Sequence, residues 1–109
     1  MFTGTENHDI SLVDAAKLTK AFRNILSPLL GGIKGHYFSK AALLDVLNQE
    51  DAVGVRIYLG LSNDIVPLPR LVIAGVKADG SDMDSGKIID QGIPCPPSCS
   101  ATNSLNSTI

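Results

Sequence analysis

Tryptophan is absent from this 109-residue chain, and aromatic residues as a whole make up only 5% of it. So small a supply leaves few platforms on which the bases of single-stranded nucleic acid stack. Lys and Arg total 9 against 11 Asp and Glu, a formal net charge of −2, so the basic excess of an electrostatic nucleic-acid binder is lacking. Two cysteines are too few for a disulfide-dense extracellular scaffold. The longest apolar run, Leu71 to Val76, falls far short of the roughly 20 residues that cross a bilayer. Met1 to Asp9 has no basic start followed by an apolar stretch, residue 2 is Phe, and the sequence ends Asn-Ser-Thr-Ile. Neither a secretory signal nor a lipid anchor is expected, and the expected setting is cytoplasmic, without membrane contact. The phosphate-cradling glycine patterns and the G-x-S-x-G nucleophile elbow do not occur, which removes nucleotide binding and serine hydrolysis of those kinds.

What is present is apolar. Hydrophobic residues reach 44%, charged residues 18%, and mean hydropathy is +0.18. That balance is too rich in core-forming residues for disorder. At this length a single domain over 1–109 is the natural organisation, hiding roughly 65% of the surface its unfolded chain exposes. Residues 1–9 and 101–109 read as flexible or irregular ends.

Ser11 followed by Asp14 has capping-box spacing, and Ala15, Leu18, Phe22, Ile25 and Leu29 then recur at helical intervals. Pro28 and Gly31-Gly32 end that helix near Ser27. Ile33 to Phe38 reads as a strand. Ser39 caps a second helix over Lys40 to Asn48, buried through Leu43, Leu44 and Leu47. Val53, Val55, Ile57 and Leu59 alternate with Gly54, Arg56, Tyr58 and Gly60, the period of a strand with one buried face. Leu61 to Arg70 reads as a loop. Leu71 to Lys77 is apolar in both alternating sets, as in a central strand covered on both sides. Asp79-Gly80 is a hairpin-turn signal leading to a last strand within Met83 to Asp90, with a bulge signal at Ser85-Gly86. The order predicts an α+β fold: two helices packed on one face of a small, mainly antiparallel sheet of about four strands.

Four segments in order carry a resemblance: Lys34-Gly35-His36, then Gly54 to Gly60, then Gly75 to Met83, then Pro94-Cys95-Pro96-Pro97-Ser98-Cys99. Together they resemble a family of small uncharacterised proteins from Bacteroidetes-type bacteria, over about Ser11 to Leu105. The resemblance implies a compact α+β domain in a bacterial cytoplasm. It supplies no catalytic residue.

Two sets of residues have chemistry to offer. Arg56 and Tyr58 share one strand face with Gly54 and Gly60 beside them, an arrangement suited to gripping a carboxylate or phosphate. His36, on a neighbouring strand, and Lys40 complete a candidate ligand face. The plainer alternative pairs Arg56 with Glu50, Asp64 or Asp90, with Tyr58 stacked on its stem. The second set is Cys95 and Cys99: packed thiols, a disulfide or redox pair, or half of a metal site that lacks its other ligands. Asp79, Asp82, Asp84 and Asp90 do not fit the calcium-loop template and read as turn-stabilising acids. No metal site, catalytic residue or cofactor is expected.

The leading functional expectation is a non-enzymatic domain that self-associates or binds a protein partner, because its apolar excess needs a cover. Small-anion or metabolite binding at His36, Lys40, Arg56 and Tyr58 is the alternative, and thiol redox chemistry at Cys95 and Cys99 the third. The first two assume that residues 53 to 60 turn their aliphatics inward and Arg56 and Tyr58 outward.

Overall fold

Serine hydroxyls open both helices, as their spacing predicts. In the computed structural model, which describes residues 1–107, Ser11 accepts the Asp14 amide at 3.1 Å and opens α1 (Leu12–Ile25). Ser39 accepts the Ala42 amide at 3.1 Å and opens α2 (Lys40–Leu47). Each hydroxyl satisfies one backbone donor that the first helical turn leaves without a partner. Pro28 then sits in a single 3-10 turn, Ser27–Leu29, that ends the first helix. Among the described residues, five strands join the helices in an α+β fold: β1 (Gly35–Tyr37), β2 (Ala52–Leu61), β3 (Pro69–Lys77), β4 (Ile88–Ile89) and β5 (Ile93–Cys95). They divide into a three-stranded sheet of order β2-β3-β4 and a two-stranded sheet of β1 and β5. The segment read as a loop, Leu61 to Arg70, gives its first residue to β2 and its last two to β3.

Contacts group the chain into two compact units. One comprises Met1–Asn7, Phe38–Gly60 and Arg70–Gly92; the other comprises His8–Tyr37, Leu61–Pro69 and the chain from Ile93 onward.

In the first unit β3 is the middle strand, and Ile73, Ala74, Gly75 and Val76 are buried in succession on both faces. Its antiparallel pairing with β4 sets Ile73 opposite Ile89 and Ala74 opposite Ile88. The Asp79-Gly80 turn forms as predicted: the Gly80 amide reaches the Lys77 carbonyl at 2.9 Å, and Gly80 takes φ +88°, where a side chain is strained. Helix α2 packs against β4, but its buried residue is Val46, at 0% exposure; Leu44 and Leu47 are 39% and 41% exposed. The helical spacing indicates which residues share a face, and the sheet decides where that face is centred. Gln49 just beyond α2 fixes this geometry, its side-chain amide donating to the Val46 carbonyl at 2.8 Å and its oxygen accepting the Lys87 amide at 2.7 Å. Gly75 lets it approach, since a Cβ there would stand 2.9 Å from the Gln49 amide nitrogen.

In the second unit β1 and β5 run antiparallel with Gly35 opposite Cys95, His36 opposite Pro94 and Tyr37 opposite Ile93. Leu18, Ile25 and Leu29, expected along the inner stripe of the first helix, are 66%, 68% and 69% exposed. Ala15, Ala16, Thr19, Phe22 and Arg23 are the half-buried residues instead, so the inner face is turned by about one residue position. The C-terminal tail lies on this side of the helix, where its Leu105 carbonyl accepts from the Arg23 guanidinium at 2.8 Å. That tail is irregular but internally bonded: Asn103 Oδ1 accepts the Leu105 amide at 2.8 Å, and Asn106 Oδ1 accepts the Asn103 amide at 2.9 Å. Thr108 and Ile109, at the end of the tail expected to be irregular, lie outside the described residues.

Val46→Ala is expected to lower the stability of the fold by about 2 kcal/mol, read as a reduced denaturant midpoint at unchanged slope. Leu47→Ala, at a partly exposed position, is expected to cost well under half of that. Equal losses at the two positions would show that α2 is seated differently.

Candidate functional site

The alternation in β2 holds only in part: Val55, Ile57 and Leu59 turn outward where the inward face was expected, whereas Val53 is half-buried and Tyr58, expected outward, is 47% exposed. Val55, Ile57 and Leu59 are 36%, 52% and 88% exposed. Gly54, Arg56 and Gly60, on the other face, are half-buried. A two-residue period assigns residues to common faces without saying which face meets the protein. Here the decision falls to two local features. Gly60 lies close to β3, where a Cβ would stand 3.4 Å from the Arg70 carbonyl oxygen. Arg56 finds two acceptors in the β3–β4 turn: the Gly80 carbonyl at 3.2 Å and the Asp82 carboxylate, with which it forms an ion pair. Tyr58, two residues on and on the same face, donates its phenolic proton to the other oxygen of Asp82.

Asp82 therefore accepts from both candidate ligand residues of β2. The plainer reading of Arg56 as an internally paired residue holds, with Asp82 as the partner in place of Glu50, Asp64 or Asp90. Asp90 serves Arg70 instead, at 2.6 Å. Asp79 accepts from the Ser81 amide at 2.9 Å and from its hydroxyl at 2.5 Å. Three of the four acids around the last turn thus act as turn and strand ties. The partner role of Asp82 was missed because the pairing depends on a hairpin bringing position 82 beside position 56, across 26 residues of sequence.

Charge and hydrogen bonding shift the titration of this trio. The Tyr58 hydroxyl and the Arg56 guanidinium hold the Asp82 carboxyl below its usual value. Tyr58 is pushed up, chiefly because its proton is held by Asp82, and Arg56 is raised by the same carboxylate. An anionic ligand at this face would compete with Asp82, which already accepts from Arg56 Nη1 and from the phenol.

No described hydrogen bond or ion pair joins the other candidate residues to the trio. Lys40 is the exposed first residue of α2, and among the described residues no hydrogen bond or ion pair joins it to Arg56 or Tyr58. His36 lies on β1, in the other compact unit, half-buried opposite Pro94. Cys95 and Cys99 are joined in a disulfide, one of the three states their spacing allows. The bridge closes the turn that follows β5, in which the Ser98 amide donates to the Pro94 carbonyl at 3.0 Å. Among the described residues there is no group of three or more His, Cys, Asp or Glu placed to hold a metal ion, and no helix is long and apolar enough to cross a membrane.

What these features define is an α+β protein with a strand-to-turn polar clamp and an exposed aliphatic row on the strand's outer face. No protein-family model matches the chain, and neither a curated protein nor a solved structure is similar to it. Residue roles rest on geometry alone.

The clamp predicts a pH dependence with a definite sign. A lowered carboxyl value means that the contribution of Asp82 is complete above the ordinary value of about 3.9 and is lost as pH falls through the lower value of the folded state. Tyr58 has the opposite sign: its contribution is complete below about 10 and is lost as pH rises through its raised value. Tyr58→Phe is expected to move the Asp82 carboxyl back up toward the ordinary range in an NMR titration. Asp82→Asn is expected to flatten the acid limb of stability against pH. An unmoved Asp82 titration in Tyr58→Phe would remove the phenol from the clamp.

Proposed function

We propose that this chain is a non-enzymatic domain that associates with a second copy of itself through the aliphatic row of β2. The observation that carries the reading is the exposure of Val55, Ile57 and Leu59, at 36%, 52% and 88%, along one face of a strand at the edge of its sheet. Edge strands of stable monomers are commonly blunted by charge, proline or bulges. The ten residues of β2 contain one charged side chain, Arg56, and Asp82 neutralises it on the opposite face. Covering each large aliphatic side chain is worth about 1.5–3 kcal/mol, against an association cost of roughly 4–15 kcal/mol. Association then requires several of these side chains from each copy to be covered together, which a twofold contact achieves by using the same row twice. The face of Arg56 and Tyr58 has less to offer such a contact because both side chains are already bonded to Asp82.

The anion-binding alternative has weaker support for the same reason, and the disulfide is only slight support for the redox alternative. A bacterial cytoplasm, the setting that the resemblance implies, belongs to the proposal. A reducing cytosol opposes the Cys95–Cys99 bond. Alkylation at cell lysis followed by mass measurement is expected to find both thiols reduced; a pair found oxidised in cells would argue for another compartment.

Sedimentation at micromolar concentration is expected to show a dimer, and Leu59→Lys a folded monomer with an unchanged far-ultraviolet spectrum. Tyr58→Ala is expected to leave the dimer in place. A wild-type chain that sediments as a monomer throughout removes the proposal.

A further inference from the structure

A groove of about 330 Å³ runs between α1 and the C-terminal tail, within the second unit, and none of its lining residues belongs to the β2 row. Its size is at the small end of the range of ligand pockets, roughly 300–1,000 Å³. Its lining is divided by chemistry along the helix. Leu12, Val13 and Ala16 make an apolar end, and Lys17, Lys20 and Arg23 make a basic end. The three cations recur every third residue, so successive ones are neighbours on the helix surface. Ser104 and Ser107 face them from the tail.

The basic end has unused capacity. The Lys20 side chain makes no ion pair or hydrogen bond to another described residue. Arg23 spends one nitrogen on the Leu105 carbonyl at 2.8 Å, and a guanidinium has five N–H donors in all. Lys17 reaches Asp14 only at 3.8 Å, with both side chains largely exposed, a pair that contributes little. The wall opposite is preset rather than loose: the Asn103–Asn106 turn is bonded within itself, and Lys34 donates to the Asn106 carbonyl at 2.6 Å. Ser107 gives its hydroxyl proton to Asn106 Oδ1 at 2.9 Å, while the Ser104 hydroxyl has no partner among the described residues.

We propose that this groove binds a small amphipathic anion, a carboxylate with a short alkyl tail. The carboxylate sits between Lys20 and Arg23 and accepts a hydrogen bond from the Ser104 hydroxyl. The tail lies along Leu12, Val13 and Ala16. Charge complementarity sets the head group, because the described lining of the groove carries three cations and no carboxylate. The apolar end separates this ligand from plain phosphate, which would leave Leu12 and Val13 exposed, at 59% and 67%.

The test is a titration of amide chemical shifts in the intact chain with octanoate, with octanol and inorganic phosphate as separate arms. Saturable shifts confined to α1 and the tail are expected with octanoate. Octanol and phosphate are each expected to bind at least about tenfold more weakly. Lys20 holds no structural contact, so Lys20→Gln is expected to stay folded and weaken octanoate about tenfold, with Lys20→Arg restoring it. Equal binding of octanol, equal binding of phosphate, or octanoate shifts centred on Val55 to Leu59 would each overturn the proposal.

Discussion

The carboxylate of Asp82 decides how β2 is presented. By accepting from both Arg56 and Tyr58 it ties one face of the strand to the β3–β4 turn. Successive residues of a strand point to opposite sides, so that tie commits Val55, Ile57 and Leu59 to the outside. The contact is polar, partly exposed and modest in energy by the standards of surface ion pairs. It nevertheless sets an orientation, because a strand has only two. The apolar row follows from the polar clamp, and the proposed self-association follows from the row.

A short chain with a high apolar fraction makes such a row hard to avoid. Among the described residues the buried hydrophobics are Ile33, Val46, Ile73, Ala74 and Val76. Three of these lie in the central strand and one in the helix that packs beside it. Splitting the strands into sheets of three and two leaves each compact unit with one helix and few faces to bury. Large aliphatics are then left on surfaces in both units: the β2 row in one, Leu18 and Ile25 of α1 in the other. Contiguous exposed apolar surface of this kind is characteristic of association sites.

The tail shows composition and structure parting company. A stretch rich in Ser, Asn and Thr reads as irregular, and irregular it is, yet Asn103 and Asn106 use their side chains as substitutes for backbone partners and hold a defined turn. The turn then becomes one wall of the groove beside α1. Local side-chain bonding thus gives shape to a segment that has no regular structure.

Local chemistry determined the elements. Serine caps at positions 11 and 39, proline at 28, the two-residue alternation over 53–60 and the Asp-Gly turn at 79–80 act over a few residues, so each was legible without coordinates. The α+β class and the two-sided burial of β3 were legible for the same reason. Which way each amphipathic face turned was not, because that depends on partners distant in the sequence: Asp82 for Arg56, Leu105 for Arg23, β4 for Val46. The same holds for the candidate ligand set, of which the fold brings together Arg56 and Tyr58 but spends them on an internal carboxylate. Periodicity assigns residues to common faces; only tertiary contacts choose which face is covered, since inward and outward are defined by the rest of the molecule.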